Sequence, residues 1–128
     1  MTMTFLLDVS TLLAWLWRDH EFHRRVMSWQ TGKSIAICPV TELGFLRIST
    51  QPIFGATVKD ARQMLSQWHR TAKPIHVPCD LPALEGAPPP VSGKTTDFYL
   101  ASLAEKHGMK WATLDESCAH PAAYILTR

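Results

Sequence analysis

The stretch Phe5-Leu6-Leu7-Asp8-Val9-Ser10-Thr11 decides the architecture. Its apolar residues predict a short strand, and Leu12, Leu13, Trp15, Leu16 and Trp17 then predict a helix packed on most sides. Ser10 or Thr11 can cap that helix, and Ser10 is read first as a cap. Asp8 is left at the C-terminal end of the strand, where it can cap the helix or serve as the first ligand of a metal site.

The same arrangement returns near the other end of the chain. Lys110-Trp111-Ala112-Thr113-Leu114-Asp115 is again an apolar strand that ends in a carboxylate. Between the two lies Ser34-Ile35-Ala36-Ile37-Cys38, bounded by Gly32 and Pro39, which reads as a buried parallel strand. Pro39 opens a helix that puts Glu42 in or near its first turn, because the missing N–H of a proline costs nothing there.

The remaining elements follow from periodicity and punctuation. Residues 18–30 predict a polar helix with Phe22, Val26 and Trp29 as its buried stripe, meeting the first helix near Asp19 and His20. Residues 57–71 predict an amphipathic helix with Val58, Ala61, Met64, Leu65 and Trp68 on one face. Ile75-His76-Val77 is a third strand, followed by a proline-rich surface loop. Thr95 or Thr96 caps a helix over 97–107, and residues 123–126 suit an edge strand.

Strands alternating with helices predict an α/β fold with a parallel sheet covered on both faces, in which sites form beyond the C-terminal strand ends. A length of 128 residues suits one domain spanning 1–128. A net charge of +2 and 19% charged residues do not argue for any partner. The three widely spaced cysteines show no CxxC motif and predict buried free thiols rather than disulfides or a zinc knuckle. No basic leader precedes the first apolar run, and no stretch approaches the roughly 18 apolar residues of a membrane span, so a cytoplasmic location away from membranes is expected.

With that topology Asp8, Glu42, Asp97 and Asp115 are expected to converge on one rim. Each has a plain alternative, since acids cap helices and complement helix N-termini. Together, however, four carboxylates raise one another's pKa unless a cation neutralises them. Hard oxygen ligands without Cys or His at ligand spacing favour Mg²⁺, with Mn²⁺ as substitute, over Zn²⁺. Such ions suit phosphodiester hydrolysis.

Four segments carry a family resemblance: Leu6-Leu7-Asp8-Val9-Ser10, Pro39-Val40-Thr41-Glu42-Leu43-Gly44-Phe45-Leu46-Arg47, Thr96-Asp97-Phe98-Tyr99-Leu100-Ala101 and Ala112-Thr113-Leu114-Asp115. In order and spacing they resemble the acidic motifs of PIN-domain ribonucleases, and most closely the VapC-type toxins of type II toxin–antitoxin systems. The resemblance implies a three-layer PIN-like fold with a central, mostly parallel sheet flanked by helices. It also implies a Mg²⁺- or Mn²⁺-dependent endoribonuclease acting on RNA. Such an enzyme is usually a homodimer held inactive by a small cognate antitoxin whose C-terminal segment enters the groove. Asp8, Glu42, Asp97 and Asp115 would be the metal-holding quartet, with Thr113 as a hydroxyl that orients water or is simply a β-branched strand residue.

The chain departs from the family pattern at Ser10, where relatives often have Asn, and at Ser117, where some have Asp. Other readings rank lower. A silent module that binds RNA or protein through the same groove is one, and a haloacid-dehalogenase-type phosphatase, which Ser10 disfavours by lacking its second acid, is another. Gly93-Lys94-Thr95 resembles the end of a P-loop, but Pro88 stands where its first glycine belongs, leaving Lys94 as a weak candidate for one RNA phosphate. His20 and His23 lack the HExxH pattern and read as a solvated helix face, as do Arg24 and Arg25.

Overall fold

The computed structural model describes residues 2–127. Five strands form one sheet: β1 (Thr4–Leu7), β2 (Ser34–Ile37), β3 (Ile75–His76), β4 (Lys110–Thr113) and β5 (Ala123–Ile125). Their order is β3-β2-β1-β4-β5, and every pairing is parallel. Five helices flank them: α1 (Val9–Leu16), α2 (His23–Gln30), α3 (Pro39–Ser49), α4 (Val58–Ala72) and α5 (Thr95–Lys106). The expected mostly parallel sheet is therefore parallel throughout the described residues.

Strand alternation divides the core into two layers. Phe5, Leu7, Ile35 and Ile37 face α1 to α4, where Leu12, Val26, Phe45, Leu65 and Trp68 complete the packing. Leu6, Ala36 and Trp111 face α5, packing on Phe98, Leu100 and Leu103. β1, β2 and β4 are buried over their last three residues, which is why they read as unbroken apolar runs. β3 is exposed at both residues, as suits the sheet edge.

Several local expectations are corrected. Asp8 itself caps α1, accepting from the Val9 amide at 2.8 Å, so neither Ser10 nor Thr11 fills that role. The Thr11 hydroxyl instead donates to the Ala112 carbonyl and ties α1 to β4. α2 starts only at His23, because the His20 ring accepts the Phe22 amide and closes a turn before the helix. Val58, the first residue of α4, is exposed, while Ala61, Leu65 and Trp68 are buried as expected. α5 begins at Thr95 after a 3₁₀ turn over Ser92–Lys94, with Lys94 in the cap position and no side-chain cap, so neither Thr95 nor Thr96 caps it. All three cysteines are free, Cys38 and Cys118 buried and Cys79 exposed.

Gly44 explains part of the Pro39 to Arg47 motif. A Cβ built there would lie 2.6 Å from Val9 Cγ2, so only glycine lets α3 approach α1 this closely. That approach sets one wall of the groove described next.

Candidate active site

The chain leaves β1 toward β2 and β3 on one side, and returns to β4 and β5 on the other. The crevice between the C-terminal ends of β1 and β4 is thus the topological switch point, where parallel sheets place their ligands. A groove of about 730 Å³ opens there, lined by Asp8, Asp97 and Asp115 together with Ser10, His20 and Arg47.

Asp8 is only 5% exposed. Its Oδ1 accepts the Val9 amide, and its Oδ2 accepts the hydroxyls of Ser10 and Thr113, each at 2.8 Å. Burial still outweighs these bonds and raises the carboxyl above the ordinary carboxylate range. Thr113 is fully buried and also accepts the Asp115 amide at 3.0 Å, so one hydroxyl positions both acids. Ser10 in turn accepts the Leu114 amide at 3.3 Å. Its departure from the family pattern therefore preserves a hydrogen bond to the site.

Asp115 is held differently. Its Oδ1 accepts the Ser117 amide at 3.0 Å and the Ser117 hydroxyl at 2.7 Å, while Oδ2 pairs with the Lys94 ammonium. The Lys94 bond, followed by Ser117, brings the carboxyl down to about 2. Asp97, in the first turn of α5, has no such neutralisation. Burial and then the charges of Asp8 and Asp115 push it up to about 6, with Lys94 opposing them.

Glu42 does not share this groove. Val40, Leu43, Gly44 and Arg47 form the face of α3 that lines it, and the helical phase turns Glu42 toward α4. There Glu42 Oε2 lies 2.5 Å from His69 Nε2, and the His69 ring stacks on His76 with centroids 5.0 Å apart. The structure thus brings together three of the four expected acids. With Asp115 paired to Lys94 and Glu42 paired to His69, no group of three or more His, Cys, Asp or Glu side chains among the described residues is gathered closely enough to hold a metal ion. The carboxylates lining the groove, from which a hard cation would have to draw its ligands, are Asp8, Asp97, Asp115 and Glu21.

His20, Glu21 and Arg47 are among the groove residues that were not expected to line it. His20 lies in the turn between α1 and α2, not on a solvated helix face, and burial lowers its pKa. Among the described residues Arg47 is the sole Arg or Lys lining the groove, one turn beyond Gly44 on the same face. Lys94 was weighed as a phosphate contact, whereas its partners here are Asp115 and Ser117. Among the described residues, no helix is long and apolar enough to cross a membrane.

Comparison with known proteins agrees with this geometry. Residues 5–123 match the PIN domain family. The chain is 32% identical over 118 residues to Ribonuclease VapC38 of Mycobacterium tuberculosis, covering 86% of this chain and 84% of that protein. It is 34% identical over 127 residues to Ribonuclease VapC44 of the same species, covering 91% and 89%. Among solved structures, FitAcB from Neisseria gonorrhoeae shares the fold, with a TM-score of 0.55 at 19% identity over 88% of both chains.

Proposed function

Because this chain belongs to the PIN domain family, and within it to the VapC-type ribonucleases, we propose that it is a metal-dependent endoribonuclease, the toxin of a toxin–antitoxin pair. The observation that carries the reading is the convergence of Asp8, Asp97 and Asp115 in one groove at the switch point.

The donor set suits Mg²⁺ or Mn²⁺. It consists of carboxylate oxygens alone, and Asp97 is pushed up to about 6 partly by the charges of Asp8 and Asp115, a repulsion that a cation relieves. Such an ion supplies Lewis-acid activation of water and neutralisation of phosphate charge. Asp8, Asp97 and Asp115 would hold it. Glu42 joins them in this proposal through its place in the Pro39 to Arg47 motif, its carboxylate being kept by His69 in the present arrangement.

The chain's own groups do the positioning. Thr113 and Ser10 fix the Asp8 carboxylate by two hydroxyl bonds, and Val9 fixes its other oxygen. Arg47 presents a guanidinium to the groove, where a phosphodiester backbone would meet a charge of opposite sign. A small antitoxin protein bound over the groove and a homodimeric assembly complete the proposal.

The test is cleavage of RNA by purified protein with Mn²⁺, with EDTA, and by an Asp8→Asn variant. Cleavage that needs Mn²⁺ and is lost in Asp8→Asn is the expected result. Cleavage that persists in EDTA, or an Asp8→Asn variant equal to the parent, overturns the metal-dependent reading, and RNA binding with no cleavage at all favours a silent binding module. Size-exclusion chromatography with light scattering tests the dimer, and co-purification with the protein encoded next to it tests the antitoxin.

A further inference from the structure

From its contacts we infer that Lys94 is a resident counter-ion of the acid groove, which a divalent metal must displace from Asp115 before the carboxylates can close on it. The inference rests on the nuclease reading above and concerns the regulation of that same site.

Asp8, Asp97 and Asp115 have three different surroundings in the groove. Asp8 is satisfied by an amide and two hydroxyls, with no cation among its hydrogen-bond partners. Asp97 has no ion pair among the described residues. Asp115 alone has a full positive charge on it, the Lys94 ammonium at Oδ2. This ammonium is also held at 2.8 Å by the Ser117 hydroxyl, the same hydroxyl that donates to Asp115 Oδ1. Asp115, Ser117 and Lys94 therefore form a closed ring of hydrogen bonds.

The backbone aims this lysine. A 3₁₀ turn over Ser92–Lys94 places it at the cap of α5, with its amide bonded to the Val91 carbonyl and the Thr95 hydroxyl bonded back to Ser92. Three residues later the same helix supplies Asp97. One turn of chain thus contributes both an acid of the site and the cation that balances a second acid. Both ends of the Lys94–Asp115 pair are about a quarter exposed, 25% and 26%, so a solvated ion can reach it.

Competition follows from charge and valence. An ammonium and a divalent cation compete for Asp115 Oδ2, because the two positive charges repel each other at that distance and the divalent ion gains more from the neighbouring carboxylates. Once displaced, the ammonium stays tethered beside the groove. Lys94 is a positioning residue in this scheme, acting through Asp115.

Mn²⁺ binding measured by calorimetry on the parent, Lys94→Met and Lys94→Gln tests it, with circular dichroism to check folding. Both variants are expected to bind Mn²⁺ about two- to fivefold more tightly, the range for removing a competing, partly exposed ion pair. In parallel, ¹⁵N NMR of the lysine ammonium groups should show a protected Lys94 signal without metal that is lost at saturating Mg²⁺. Folded variants that bind Mn²⁺ equally or more weakly, or a Lys94 signal unchanged by Mg²⁺, overturn the assignment of Lys94 alone. A parent that binds no Mn²⁺ overturns this inference together with the nuclease reading.

Discussion

The Thr113 hydroxyl donates to Asp8 Oδ2 across the two central strands, 105 residues apart in sequence and 2.8 Å apart in space. It also accepts the Asp115 amide, so this one oxygen ties together the two acids that end β1 and β4. Replacing it by an isosteric methyl leaves a buried, charged acceptor short of a donor. Thr113→Val is expected to lower stability by about 1–3 kcal/mol in urea unfolding and to weaken RNA cleavage, while Thr113→Ser stays near the parent in both.

Asp97 makes stability without metal depend on pH. Its folded value of about 6 lies above the ordinary 3.8, so the folded chain holds this proton more tightly than the unfolded one. The associated stability is fully present below about 3.8 and is lost as pH rises through about 6. His20 and His120, whose values burial lowers, act in the opposite direction over the upper part of this range. The comparison is therefore between parent and Asp97→Asn. In EDTA, thermal unfolding should show the variant gaining on the parent between pH 5 and about pH 7.5, although it cleaves no RNA.

Arg47 should act on RNA binding and leave the folded state untouched. It is exposed on the groove face of α3 and has no salt bridge among the described residues. Arg47→Ala is expected to weaken RNA binding in fluorescence anisotropy and to reduce the slope of log affinity against log salt by about 0.7, the loss of one phosphate contact to a single strand. An unchanged slope removes Arg47 from the RNA path.

Gly44 reports on the packing of α1 against α3. Alanine is the better helix former by about 1 kcal/mol, yet its Cβ would fall 2.6 Å from Val9 Cγ2. Overpacking costs about 1–3 kcal/mol, so Gly44→Ala should be destabilised or at best neutral, contrary to propensity. Because Val9 directly follows Asp8, cleavage should fall more than stability does.

Glu42 separates two roles by substitution. Glu42→Gln keeps a hydrogen-bonding group facing His69 and removes the charge. If Glu42 serves the acid site, cleavage drops about 10- to 100-fold with little change in unfolding, the range seen when groups supporting a metal site are altered. A variant equal to the parent in cleavage assigns Glu42 to the α3–α4 contact.

What the sequence disclosed and what it concealed follow from how local each signal is. The strands ending in Asp8 and Asp115 were legible because a buried parallel strand is a run of apolar residues, and the order of elements followed from their alternation. The cap of α1 was misplaced because Asp8, Ser10 and Thr11 are all able caps, and the choice was made by Thr113, a residue from β4. The turn of Glu42 toward His69 depends on the phase of α3 against α4, which residue spacing along one helix does not fix. Lys94 looked like any loop lysine until the 3₁₀ turn aimed it at Asp115.

Asp8 directly follows β1 and Asp115 lies two residues beyond β4, the two strands on either side of the switch point. Amides of central strands are among the last to exchange with solvent, and the Thr113 hydroxyl ties Asp8 and Asp115 to that part of the sheet. Whatever binds in the groove therefore stabilises the entire chain, and a titration followed by hydrogen exchange should slow β1 and β4 together. A ligand at the mouth of the groove is thereby coupled to the centre of the sheet rather than to its edge.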